Sequence, residues 1–92
     1  MATNTCMSVI TFQNAADLNE RDFQVVRENF SNTLYSQGKT EAMPNWVEVA
    51  SEPTVGYRLW VDHAAAQEFL DFAIATAPTY SMTFVSTGIQ DL

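Results

Sequence analysis

Histidine and cysteine, two residue types that often act as an acid, a base or a nucleophile, each occur once in this 92-residue chain. His63 is the single histidine, and a ring that titrates near neutral pH can serve as a general acid or base. It directly follows Asp62, which suits the N-cap of a helix, and a lone histidine at a helix start is usually a surface or capping residue. Cys6 has no base near it in the sequence, which favours a small buried hydrophobe. His63 is therefore only a minor chemical candidate.

Recognised catalytic and cofactor motifs are missing from the sequence. The three glycines, at positions 38, 56 and 88, are too far apart to form a phosphate-binding loop. No serine lies in a Gly-x-Ser-x-Gly motif. No group of histidine, cysteine or acidic residues has metal-ligand spacing. We therefore predict no metal and no cofactor, and favour a non-enzymatic function without excluding catalysis.

Hydrophobic periodicity and turn signals predict two helices and four strands. The first helix is expected to begin near Asp17 or Asn19 and to end at Gly38, the natural C′ residue. Asp62 is expected to cap the second helix, and Pro78 to end it. The predicted strands cover residues 6–12, 46–51, 55–61 and 80–87.

This element order, β-α-β-β-α-β, resembles the ferredoxin-like fold over residues 5–90. We expect an α+β domain with a four-stranded antiparallel sheet of order 4-1-3-2. Right-handed connections place both helices on one face of such a sheet. The chain is long enough for one domain, residues 1–92, and residues 1–4 are expected to be flexible.

The two middle strands carry the most informative side chains. If residues 52–54 form the hairpin loop, Val49 lies opposite Tyr57, and these two positions face the helices. Trp46 then lies opposite Trp60, and Glu48 pairs with Arg58 on the other, open face. Ile10 and Phe12 of the first strand are expected to extend that face. Because monomers rarely leave such an aromatic patch bare, this face predicts a homodimer interface or the wall of a ligand pocket.

Residues 61–69, Val-Asp-His-Ala-Ala-Ala-Gln-Glu-Phe, resemble the strand end, acidic cap and alanine-rich helix start of the dimeric α/β-barrel superfamily. That superfamily includes antibiotic-biosynthesis-type monooxygenases and stress-responsive barrel proteins. The resemblance implies that two ferredoxin-like sheets pair face to face.

The chain is strongly acidic, with eleven acidic and four basic residues and a formal charge of −7. This charge disfavours binding to nucleic acid and to anionic membranes. One cysteine allows no intrachain disulfide, and the first residues lack the features of a signal peptide. No stretch has the length and hydrophobicity of a transmembrane helix. We therefore expect a cytoplasmic protein.

Three functional hypotheses follow from these observations. The first is a self-associating interaction or binding module that uses the open sheet face. The second is a dimeric α/β-barrel protein that binds a small apolar ligand, or acts as a cofactor-independent oxygenase. Its ligand would contact Trp46, Arg58, Trp60, Tyr57 or His63. The third is an acidic mimic of nucleic acid that occupies a partner protein.

Overall fold

A computed structural model describes residues 3–92 of the chain. Residues 1 and 2, included in the predicted flexible segment, lie outside the described residues. Asn4, from the same segment, exchanges two hydrogen bonds with Glu41, at 2.9 and 3.2 Å. The elements are β1 (Cys6–Thr11), α1 (Ala15–Leu18), α2 (Arg21–Ser36), β2 (Trp46–Val47), β3 (Val55–Trp60), α3 (His63–Thr76), a 3₁₀ turn (Ala77–Tyr80) and β4 (Ser86–Asp91). No helix within the described range is both long and apolar enough to cross a lipid bilayer.

The four strands form one antiparallel sheet in the order β2-β3-β1-β4. This is the predicted order 4-1-3-2 counted from the other edge, so the ferredoxin-like α+β fold is confirmed. The two longer helices cover one face of the sheet. Phe23 and Leu34 of α2 and Phe69 of α3 join the buried core there, each no more than 1 % exposed.

Two of the predicted helix signals are confirmed. The Asp62 side chain accepts a hydrogen bond from the Ala65 amide at 2.8 Å and caps α3. At the end of α2, Gly38 adopts a positive φ of 77°, which glycine tolerates without steric strain. The amide of Gly38 donates to the Tyr35 carbonyl, and that of Lys39 donates to the Leu34 carbonyl, in the Schellman pattern.

The start of the first helical region differs from the prediction. A short helix, α1, is capped by Asn14, whose side chain accepts from the Asp17 amide at 2.9 Å. Glu20 then caps α2 by accepting from the Phe23 amide at 2.7 Å. Neither Asp17 nor Asn19 is the N-cap of the long helix, because the chain makes one separate turn before α2 begins.

The helices cover the opposite sheet face from the one predicted. Ile10, Phe12 and Trp60 lie under the helices, at 2 %, 2 % and 0 % exposure, and Arg58 lies there too. Tyr57 and Leu59 face away from the helices and are only half-buried. The prediction placed the aliphatic positions in the core. The structure buries the larger aromatic side chains instead, because these fill the space between sheet and helices.

The hairpin register also differs, by two residues. Trp46 lies opposite Arg58, and Val47 opposite Tyr57. Strand β2 contains only these two residues, and residues 48–54 form the connection to β3. The Glu52 amide donates to the Val49 carbonyl, and the Val55 amide donates to the Glu52 carbonyl, so this connection folds into turns. The prediction of a three-residue loop was wrong for this reason.

The last strand begins six residues later than predicted. Pro78 lies in the first turn of the 3₁₀ segment that follows α3, and Met82 then closes the core at 6 % exposure. Strand β4 pairs with β1 so that Ile89 lies opposite Ser8. The predicted strand over residues 80–87 therefore covers mostly the connection that leads to β4.

Candidate functional site

A pocket of about 550 Å³ lies between the N-terminal half of α2 and the β2–β3 hairpin. This volume is within the range of small-molecule sites, roughly 300–1,000 Å³. Its walls combine apolar side chains with the only two buried guanidinium groups of residues 3–92. Its lining includes Ile10, Arg27, Glu28, Trp46, Glu48 and Arg58.

Arg58 lies on the helix-covered face of β3 and is only 6 % exposed. Its Nη1 donates to Ser31 Oγ at 3.1 Å and to Asn45 Oδ1 at 3.0 Å. Its Cζ lies 5.2 Å from the centre of the Phe69 ring, a cation–π contact. Asn45 is itself fixed by backbone and side-chain hydrogen bonds with Leu59. These contacts hold the guanidinium group in one orientation at the pocket wall.

Arg27 reaches the same pocket from α2 and is 5 % exposed. Its Nη2 donates to the Leu18 carbonyl at 2.9 Å, and its Cζ lies about 5 Å from the centres of the Phe12 and Phe23 rings. Its Nε is buried without a hydrogen-bond partner. Gly56 gives the side chain room, since an added Cβ there would lie 3.9 Å from Arg27 Nη1 and 3.4 Å from Phe12.

The two guanidinium groups occupy an electrostatically unfavourable environment. Burial lowers the pKa of Arg27 to about 10, partly offset by the negative charges of Glu28 and Glu20. Burial and, to a smaller extent, the positive charge of Arg27 lower the pKa of Arg58 to about 10, partly offset by the negative charge of Glu28. The ion pairs found within residues 3–92 are Lys39–Glu68 and His63–Asp91. Neither buried arginine is therefore paired with a carboxylate in the described part of the chain.

The structure brings four of the six predicted face residues to this pocket. Ile10, Trp46, Glu48 and Arg58 line it. Trp46 is 40 % exposed and stands at the rim. The predicted Glu48–Arg58 ion pair is wrong, because the register places Trp46 opposite Arg58 and Arg58 bonds to Ser31 and Asn45.

The other two predicted face residues belong to the core. Phe12 packs edge-on against Phe23 and Phe84, with ring centres 6.4 and 5.2 Å apart. Trp60 lies 5.2 Å from the Phe69 ring, and its Nε1 donates to Ser8 Oγ at 2.8 Å. Neither side chain can form an exposed interface in this structure.

The residues singled out for chemistry lie outside the pocket. The His63 ring nitrogen lies 2.5 Å from Asp91 Oδ1, and both side chains are largely exposed to solvent. Cys6 is fully buried, as predicted, and burial raises the pKa of its thiol. A buried thiol with a raised pKa is a poor nucleophile. Within residues 3–92 no cluster of three or more histidine, cysteine or acidic residues could hold a metal ion.

The open face of the sheet is a second surface of note. Its strand positions carry no charged side chain, although the chain has a net charge of −7. These positions are Met7, Val9, Thr11, Val47, Val55, Tyr57, Leu59, Ser86, Gly88 and Gln90. The Tyr57 hydroxyl donates to Glu52 Oε2 at 2.8 Å, and this hydrogen bond raises the pKa of Tyr57. We call these ten positions the open sheet face.

Comparison with known proteins gives a likeness in fold. The structure is similar to a crystal structure named "Putative antibiotic biosynthesis monooxygenase" from Bacteriodes thetaiotaomicron VPI-5482. The sequences are 15 % identical, the alignment covers 98 % of this chain and 88 % of the other, and the TM-score is 0.48. No protein-family model and no curated protein sequence matches the chain.

Sequence reasoning missed Arg27, Ser31 and Asn45, although a signal for the first two was present. Phe23, Arg27, Ser31 and Leu34 recur at helical spacing and form the buried stripe of α2. The apolar pattern did not include Arg27, because charged residues are rarely fully buried. Asn45 offered no such periodic signal, since it lies in a connection outside the regular elements.

Proposed function

We propose that this protein binds a small organic molecule in the pocket between α2 and the β2–β3 hairpin. The observation that supports this proposal is a cavity of ligand size whose walls combine Trp46 and Ile10 with two fixed guanidinium groups. Apolar walls with a few oriented polar groups are typical of small-molecule sites. The single buried thiol suits a cytoplasmic setting for this function.

The proposal is tested by titrating the ¹⁵N-labelled protein with 2-naphthol, a neutral compound with an apolar body. We expect the amide signals of Gln24, Glu28 and Gly56 to shift in a saturable way, because these residues line the pocket. Trp46→Ala should raise the dissociation constant roughly fivefold or more, since contact with an aromatic wall contributes on the order of 1 kcal/mol to the binding free energy.

The matched control is Tyr35→Ala. Tyr35 is an aromatic residue on α2 with 47 % exposure and does not line the pocket. It should leave the dissociation constant unchanged within twofold. Shifts confined to open-sheet-face residues that do not line the pocket, such as Met7, Leu59 and Gln90, or equal weakening by the two substitutions, would contradict binding in the pocket.

A second proposed property is self-association through the open sheet face. Three six-residue strands about 4.8 Å apart, with a rise of about 3.4 Å per residue, give a surface of roughly 14 by 20 Å, which the two-residue β2 extends at one edge. Such a surface can form the centre of an interface that buries about 800 Å² on each partner. A second copy suits this surface because its ten strand positions are uncharged, and the Glu52 carboxylate beside it accepts a hydrogen bond from the Tyr57 hydroxyl.

The test of self-association is Leu59→Glu, measured by size exclusion with light scattering. Leu59 lies on the open sheet face of the interior strand β3, and a carboxylate there would be buried opposite another acidic chain. We expect the wild-type protein to be a dimer and Leu59→Glu to be a folded monomer. The control, Ile74→Glu, changes an exposed aliphatic residue of α3 and should remain dimeric. A monomeric wild-type protein at millimolar concentration would exclude this interface.

A further inference from the structure

We infer that the pocket's ligand is a small organic acid, with one carboxylate held between Arg27 and Arg58 and an apolar body against Trp46 and Ile10. This inference rests on the proposed function, because it names the chemical class of molecule that the pocket would take. It starts from the two arginine side chains, which a neutral ligand would leave without a counter-charge.

The two buried guanidinium groups call for an anion beside them, because the three glutamates of the pocket lining are exposed and form no ion pair with either arginine. A buried cation is unfavourable unless a negative group pairs with it, and two adjacent cations add their mutual repulsion. Arg27 and Arg58 lie close enough for one positive charge to lower the pKa of the other. Neither forms an ion pair with a carboxylate of residues 3–92. A carboxylate between them would compensate both charges at once.

Each of the two guanidinium groups also has N–H donors that form no hydrogen bond within the described chain. Within the described chain, Arg27 donates through Nη2 to Leu18, and Arg58 donates through Nη1 to Ser31 and Asn45. Arg27 Nη1, which lies above Gly56, and Arg58 Nη2 have no partner among those hydrogen bonds. Guanidinium groups favour carboxylate and phosphate oxygens, because their planar array of N–H donors matches two oxygens of one anion. The internal hydrogen bonds fix both groups before a ligand arrives.

The remaining walls favour a singly charged acid with an apolar body. The pocket volume of about 550 Å³ greatly exceeds that of one inorganic oxyanion. Ile10, Trp46 and Phe69 supply apolar surface beside the arginines. Glu28, Glu48 and Glu52 also line the pocket and oppose a multiply charged ligand. These features together favour a carboxylate over a phosphate.

The test compares three probes that differ in charge and body: 2-naphthoate, its neutral analogue 2-naphthamide, and inorganic phosphate. Dissociation constants come from the same NMR titration. We expect 2-naphthoate to bind the wild-type protein at least tenfold more tightly than 2-naphthamide, the scale of a charge-assisted hydrogen-bonded contact. Inorganic phosphate should bind at least tenfold more weakly than 2-naphthoate, because it lacks the apolar body.

Arg27→Met should reduce the preference for 2-naphthoate over 2-naphthamide to below threefold. Arg21→Met removes the same charge from an exposed position on the same helix and should keep the full preference. A second variant, Arg27→Lys, keeps the positive charge but loses the planar fork, and should show an intermediate preference.

Each outcome is decisive. Equal affinities for 2-naphthoate and 2-naphthamide would overturn the acid assignment and leave the pocket as a site for neutral molecules. Phosphate binding as tight as 2-naphthoate would overturn the apolar-body requirement. If Arg27→Met and Arg21→Met reduced the preference for 2-naphthoate equally, that preference would come from net charge alone. This result would also overturn the acid assignment. If no probe shifts the pocket amides, the proposed function fails as well.

Discussion

Trp60→Ala is expected to lower the free energy of unfolding by about 3–5 kcal/mol, as measured by chemical denaturation. Trp60 has no exposed surface, and its ring packs against Phe69 at 5.2 Å. Truncation would leave a large cavity beneath α3. It would also remove the Trp60 Nε1 donor and leave the buried Ser8 hydroxyl without this partner. Both effects lower stability.

Trp46→Ala is the matched control, because it removes the same side chain from the rim of the pocket. At 40 % exposure, Trp46 should contribute less than about 1 kcal/mol to the free energy of unfolding. The two substitutions therefore compare a core position with a rim position on the same, helix-covered face of the sheet. Similar small losses in both variants would contradict a helix-covered position for Trp60 and restore the predicted open aromatic face.

Arg27→Met is expected to raise the free energy of unfolding of the ligand-free protein by roughly 1 kcal/mol at pH 7, while weakening anion binding. Removing the guanidinium group removes a buried charge that has no carboxylate partner within residues 3–92. Loss of the contacts with the Phe12 and Phe23 rings limits the gain. Methionine retains part of that packing, because its thioether packs well against aromatic rings. Binding sites commonly contain residues that lower the stability of the ligand-free protein in this way.

The gain in unfolding free energy expected for Arg27→Met should decrease at high pH. The folded-state pKa of Arg27 is lowered by burial from its ordinary value to about 10, so the folded protein binds this proton less tightly than the unfolded chain does. The charged side chain therefore costs stability below pH 10, and that cost declines as the pH rises through 10. The difference between Arg27→Met and wild type should shrink over the same range.

Arg21→Met controls for net charge in the stability measurement. Arg21 is exposed, so its replacement should change the free energy of unfolding by less than about 0.5 kcal/mol. A loss of stability in Arg27→Met larger than that in Arg21→Met would indicate a structural role for Arg27 and contradict the expected gain.

The sequence was sufficient to predict the element order, because that depends on local signals. The strand order followed from the resemblance of this element order to the ferredoxin-like fold. Asp62 and Gly38 mark helix ends through their own side-chain and backbone chemistry, and both predictions are confirmed. The hairpin register and the sheet face depend on tertiary packing instead. A register shift of two residues leaves each side chain of the strand, Val47 included, on the same sheet face. The alternation of apolar and polar residues therefore could not fix the pairing.

The candidate site was only partly predictable for a related reason. Both faces of β3 carry large side chains, and the choice between them depends on what the helices offer. Ser31 and Asn45 accept hydrogen bonds from Arg58 and make its burial tolerable. These partners lie 27 and 13 residues from Arg58 along the chain, so no local sequence pattern could predict the contacts. The sequence identified Trp46 and Arg58 as important but assigned them to the wrong surface.

The two-residue length of β2 has a consequence for how this site can diversify. Because residues 48–54 leave the sheet early, one wall of the pocket consists of a surface turn that contributes no strand pairing. Loop length costs little in folding free energy, about 0.6 kcal/mol for each doubling. Insertions or exchanges between Val49 and Glu52 should therefore alter the pocket's shape and selectivity while the sheet and helices keep their arrangement. This segment is a natural place to engineer a new ligand preference into the scaffold.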